Sequence, residues 1–137
     1  SMDLIRETLN ERYPVWFNIP GGSTVMLRAI PLLRLLGFRK FRLFGFDSCF
    51  IAEAGHAYPQ PENDRDIRIS VNCGGRMFEC APWHVSQAAE FMDLVRFLGD
   101  EIELAVAGDG LIAHILSTGA SMVANDPDKS TDQLELK

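Results

Sequence analysis

The sequence predicts one α/β domain with a mainly parallel sheet and one β-hairpin. Runs with apolar residues at helical spacing alternate with short β-rich runs along the chain, the order expected of strand–helix–strand units. Glycines stand at the joints between these runs. The composition, 47% hydrophobic and 23% charged over 137 residues, is that of a globular unit with a core of its own.

Taken in order, MDLIRETLNERY places Leu4, Ile5, Leu9 and Tyr13 at helical spacing and is stopped by Pro14, so a helix is expected over 2–13. VWFNI (15–19), closed by Pro20, reads as a short strand. From Ser23 to Leu36, Val25, Met26, Ala29, Ile30, Leu33 and Leu36 mark a second helix, with Gly37 as its C-cap. Pro31 inside it removes a hydrogen bond and predicts a kink. KFRLFGF (40–46) is a buried strand, followed by a long loop to residue 66. Strands are expected at 67–72 and 75–80, turning at Cys73-Gly74-Gly75 as a hairpin. Pro82 opens a helix that runs to Gly99. IELAVAG (102–108) is a strand, and GLIAHILSTG a final helix. Residues 1–120 form the single domain, and 121–137, polar and short of core residues, are expected as a mobile tail.

Charge and composition exclude some functions. A net charge of −6, with basic residues gathered only around 34–42, argues against a nucleic-acid surface. The charged amino terminus lacks an apolar export core, and the longest apolar run is broken by Pro31 and Arg34, so no membrane segment is expected. Three cysteines cannot all pair, which fits a reducing cytoplasm. Cys49, His56, Cys73, Cys80 and His84 match no zinc-ligand spacing, so no zinc is expected.

In parallel sheets, ligands collect where strands end and helices begin. Gly21-Gly22-Ser23-Thr24 stands at such a joint, where free amides and a hydroxyl suit phosphate; the alternative is a plain turn with Ser23 as N-cap. Asp47 follows the strand 40–46, with Ser48 beside it. There Asp47 can bind a sugar hydroxyl, hold Mg²⁺ against a phosphate, or act as a base; alternatively it caps the loop. His56 and Tyr58, in a Gly/Pro-rich loop, are candidates for closing over a ligand, His56 moving a proton or contacting phosphate. Asp109-Gly110 repeats the strand–Gly–helix joint as a second wall or a helix cap. His84 and His114 read as structural.

The ordered set Gly22-Ser23, Leu36-Gly37, Gly45-Phe46-Asp47 and His56-Ala57 resembles the second half of the domain shared by bacterial motility accessory factors and archaeal 6-hydroxymethylpterin diphosphokinases, over residues 18–58. The resemblance implies a Rossmann-like three-layer fold and transferase chemistry on a phosphorylated small molecule or nucleotide-sugar. That chemistry is glycosyl transfer from a CMP-activated sugar, or pyrophosphate transfer from ATP with Mg²⁺. It assigns Gly22, Ser23, Asp47 and His56 to the ligand. The family's earlier Gly-Pro-Ser-Leu loop has no counterpart here. The chain is therefore expected to be part of a longer parent or a reduced relative, and a non-catalytic binding or assembly module, alone or as a homo-oligomer, is the rival reading.

Overall fold

The computed structural model describes residues 2–13, 15–16, 18–19, 21–51 and 67–125. Its elements are α1 (Met2–Arg12), α2 (Val25–Leu35), β1 (Lys40–Leu43), β2 (Ile69–Cys73), β3 (Arg76–Cys80), α3 (Pro82–Leu98), a 3₁₀ turn (Gly99–Glu101), β4 (Glu103–Val106), α4 (Leu111–Thr118) and β5 (Met122–Asn125).

Local chemistry explains most of these bounds. Thr24, in extended conformation, caps α2 by accepting the Leu27 N–H at 3.3 Å. Pro31 sits within α2 with its ring buried. At the start of α3, Pro82 occupies the first turn and the Ala81 N–H donates to His84 Nδ1 at 2.9 Å. The β2–β3 hairpin turns at Gly74 (φ 58) and Gly75 (φ 86), the pair of positive angles a two-residue hairpin turn demands.

Two small sheets replace the single, mainly parallel sheet the sequence predicts. β1 and β4 pair in parallel, Lys40 opposite Glu103 and Leu43 opposite Val106. β3, β2 and β5 form a separate antiparallel sheet in that order. The cause is the chain's return after α4: Gly119 in the left-handed region ends the helix, and Met122–Asn125 runs back antiparallel along β2, Cys73 opposite Met122. The first residues assigned to the mobile tail are thus a strand, and Met122 is buried; residues 126–137 lie outside the described residues. The strand expected at 15–19 is absent from its described residues, 15, 16, 18 and 19. Prolines at 14 and 20 bracket a run only five residues long, and Trp16 donates its Nε1–H to Asn10 Oδ1 on α1 instead.

The core lies between the two sheets and α2, α3 and α4. Leu27 and Ile30 of α2, Phe91 of α3, and Leu111 and Ile112 of α4 meet Val71, Cys73 and Cys80 of the antiparallel sheet there. Phe46, just past β1, packs edge-to-face on Phe91 with ring centres 5.7 Å apart. Among the described residues no helix is long and apolar enough to cross a membrane.

Candidate functional site

The carboxyl ends of β1 and β4 lie side by side, so the loops that leave them touch. After β1, Gly45 (φ 66) turns the chain, Phe46 enters the core, and Asp47 stays half-buried. Ser48 follows at φ 49, the one non-glycine residue with positive φ among those described, and it is buried. After β4 come Gly108, Asp109 and Gly110. A Cβ on Gly110 would lie 2.6 Å from Asp47 Cα, and one on Gly108 3.0 Å from Asp47 Oδ1. Glycine is what lets the second loop approach the first this closely.

α4 starts directly behind this contact, and its first amides point into the β1 loop. The Ile112 N–H donates to the Asp47 carbonyl at 3.3 Å. The Leu111 N–H points at the Cys49 thiol; burial nevertheless dominates and raises the thiol's pKa. Burial also pushes the Cys80 thiol up to about 12, with the nearby Cys49 and Glu79 adding to the shift. On the outer side Arg76 of β3 holds Asp109 with Nη1 to Oδ1 at 2.6 Å and Nη2 to Oδ2 at 2.8 Å, and Nη2 also reaches the Asp109 carbonyl at 3.0 Å.

At the start of α2 the predicted anion donors already hold an anion. The Ser23 N–H and hydroxyl both donate to Glu90 Oε2 of α3, at 2.7 and 2.9 Å. Arg28 Nε folds back to the Gly22 carbonyl at 2.9 Å. The donors of Ser23, which precedes the cap Thr24, are thus occupied by a carboxylate side chain of the same protein.

Two concavities follow from this arrangement. The larger, about 730 Å³, lies between the first turns of α2 and α3 and the loop after β1. Thr24, Val25, Met26 and Ala29 line one wall; Gly45 to Cys49 and Ile51 the floor; Trp83, His84 and Gln87 the other wall. Ser48 Oγ donates to Gln87 Oε1 at 3.1 Å across the floor. The smaller, about 520 Å³, is lined by Gly21, Gly22, Ser23, Arg28, Glu90, Asp93, Leu94 and Phe97.

The sequence-predicted residues therefore separate. Thr24, Asp47 and Ser48 meet in the larger pocket, whereas Gly21, Gly22 and Ser23 line the smaller one. The Asp109 side chain lines neither pocket and is held by Arg76. His56 and Tyr58 lie outside the described residues. Among the described residues no three His, Cys, Asp or Glu side chains are grouped to hold a metal ion. Sequence reasoning named neither Trp83 nor Gln87 as a site residue and read His84 as structural. The signal for them was Pro82 at a helix entry, since the first turn of such a helix opens onto a strand-end crevice. No protein-family model, curated protein or solved structure matches the chain.

Proposed function

We propose that the chain is a ligand-binding α/β domain, Rossmann-like in its parallel β1–β4 unit, that seats a nucleotide or nucleotide-activated ligand in the pocket at the carboxyl end of β1. One observation carries this reading: the first turn of α2 and Asp47 open into the same pocket. In any helix the first amides lack intrahelical partners, and Val25 and Met26, the first residues of α2 at the positive end of its dipole, line the pocket. Their amides suit a phosphate, two and three residues on from the Ser23 position that the motif suggests. Among the described residues the pocket lining includes no Lys or Arg, and there the rest of the grip falls on the base or sugar. Met26, Phe46 and Trp83 offer apolar surface, and Asp47, the one carboxylate of the lining among the described residues, accepts from a hydroxyl or amino group. In a transferase, Asp47 would take a proton from the acceptor or anchor Mg²⁺, whose other ligands would come from the phosphates themselves, as that ion commonly requires.

A second reading, a binding module without turnover, is favoured by the Glu90–Ser23 contact. That contact fills the donors a phosphate-handling relative would leave for substrate. Calorimetric titration with CMP, ATP, cytidine and adenosine, with and without Mg²⁺, tests both. Asp47→Ala is expected to weaken nucleotide binding at least about tenfold, the scale of a lost charge-assisted hydrogen bond, while Ser23→Ala leaves it unchanged. No binding by the wild type, or equal binding by Asp47→Ala, overturns the proposal. Turnover that vanishes in Asp47→Asn marks the transferase, and binding without turnover marks the module.

A further inference from the structure

Every positive φ among the described residues belongs to a glycine except that of Ser48. A side chain held in the left-handed region is strained, and it persists only where its surroundings fix it from several sides. The turn of Ser48 is fixed in this way. Asp47, the residue before it, gives its carbonyl to the Ile112 N–H of α4 at 3.3 Å. On the β3 side the Phe50 N–H donates to the Glu79 carbonyl at 2.8 Å, and the Cys80 thiol to the Ser48 carbonyl at 3.6 Å. The third side is α3, where the Ser48 hydroxyl, in a residue only 5% exposed, donates to Gln87 Oε1 at 3.1 Å.

These contacts differ in what they ask of residue 48. Those to α4 and β3 use backbone atoms of the turn, which glycine would supply equally well and without strain. Only the contact to α3 needs a serine.

Gln87 lines the same pocket as Asp47 and Ser48. It stands three residues before Glu90, so the two are neighbours on one face of α3. Glu90 holds Ser23, just ahead of the wall that begins at Thr24. One face of α3 therefore ties down both the turn at the pocket floor and the approach to α2.

We propose that Gln87 is a positioning residue of the larger pocket: through the Ser48 hydroxyl it holds the strained turn that sets the place of Asp47. This role rests on the reading of the pocket as a nucleotide site. A ligand that meets a floor already in shape does not have to order it, and binds more tightly for that reason.

Hydrogen exchange of the ligand-free full chain, followed by NMR, reads the turn. Gln87→Met keeps the side chain's length and removes the acceptor. It is expected to speed exchange of the Phe50 and Ile112 amides about two- to tenfold, the scale of one hydrogen bond. The Ala107 amide, bonded to Leu43 at the β1–β4 pair, is the control and should not change. Gln87→Glu, which keeps an acceptor, is expected to restore slow exchange. Calorimetric titration with CMP and ATP in the presence of Mg²⁺ then reads the role. Gln87→Met and Ser48→Gly are each expected to weaken binding about two- to tenfold, and the double variant no further, because both remove the same bond. Unchanged exchange in Gln87→Met overturns the proposal. So does faster exchange with wild-type affinity, which would make the bond structural only. Weak binding by Gln87→Met beside wild-type binding by Ser48→Gly also overturns it, since Gln87 would then touch the ligand itself. Each of these results leaves the nucleotide reading standing, whereas a wild type that binds neither nucleotide overturns that reading and this role with it.

Discussion

The joints that lead into α2 and α4 look alike in sequence, each with glycine before a helix near a strand end, yet they satisfy their helix starts in different ways. At α2 the donors of Ser23 are met by a charged side chain, Glu90, from a helix 67 residues further on. At α4 the first amides are met by the neighbouring loop itself, through the Asp47 carbonyl and the Cys49 thiol. A side-chain partner can be removed by one substitution without moving the backbone. A backbone partner cannot, because it is part of the loop that shapes the pocket floor. The α2 joint is therefore a filled but separable anion site, whereas the α4 joint is structural.

The largest effect expected from this difference is at Gly110. Its backbone is extended (φ −81), so alanine meets no conformational strain there, only the 2.6 Å clash with Asp47 Cα and Cβ. Backbone cannot yield as the end of a side chain can, and Gly110→Ala is expected to cost about 3 kcal/mol, the upper range for overpacking. Gly119→Ala is the control: φ is 66 but no atom lies within 4 Å of the added Cβ, so its cost is about 1 kcal/mol of backbone strain alone. Urea unfolding of both variants measures the contrast. Equal losses would mean that the close approach of the two loops does not set the cost at Gly110.

Glu90→Ala comes next. It removes two charge-assisted hydrogen bonds from an exposed joint where water can replace them, so a loss of about 1–2 kcal/mol is expected. Glu90→Gln, which keeps an acceptor, is expected to lose less. The freed Ser23 amide should then shift in an NMR spectrum when phosphate is added, while the same amide in the wild type stays still. A wild-type shift of equal size would show that Glu90 does not hold the site.

What the sequence could and could not disclose follows the range of the interactions involved. α2 and α3 were readable because long apolar periodicity, and Pro82 at the entry of α3, are local signals; the sequence offered Ser23 as the cap of α2, where the structure has Thr24. The hairpin was readable because Gly74-Gly75 suits its turn and little else. β5 was not: SMVAN offers three adjacent apolar residues and no period, and it becomes a strand only because β2 presents an open edge. The division into two sheets is likewise a matter of which edges meet. At the site, Asp47 stands out locally as a lone carboxylate after a buried strand. The filling of Ser23 by Glu90 has no local signature, for in sequence Glu90 is one more charge on an amphipathic helix. His84 was expected to be structural, and it is buried and accepts the Ala81 N–H; it also lines the pocket.

The smallest effect lies at the other end of the α4 joint and depends on pH. Arg76, first through its hydrogen bonds and then through its charge, lowers the Asp109 carboxyl below its ordinary value of 3.8. A carboxylate whose folded pKa is depressed binds fewer protons folded than unfolded, so its contribution is complete above that ordinary value and is lost as pH falls through the folded one. Asp109→Asn is therefore expected to be slightly less stable than the wild type at neutral pH, and the gap should close on acidification below 3.8. The pair is open to solvent, with the Asp109 side chain 86% exposed, so 0.5 M salt should shrink the gap at every pH. An NMR titration of the Asp109 carboxyl is the direct check. Its midpoint should lie below the ordinary value in the wild type and return towards it in Arg76→Met. If the midpoint stays put in that variant, the α4 joint owes nothing to this clamp, and its hold on the pocket floor rests on Gly108, Gly110 and the amides of Leu111 and Ile112 alone.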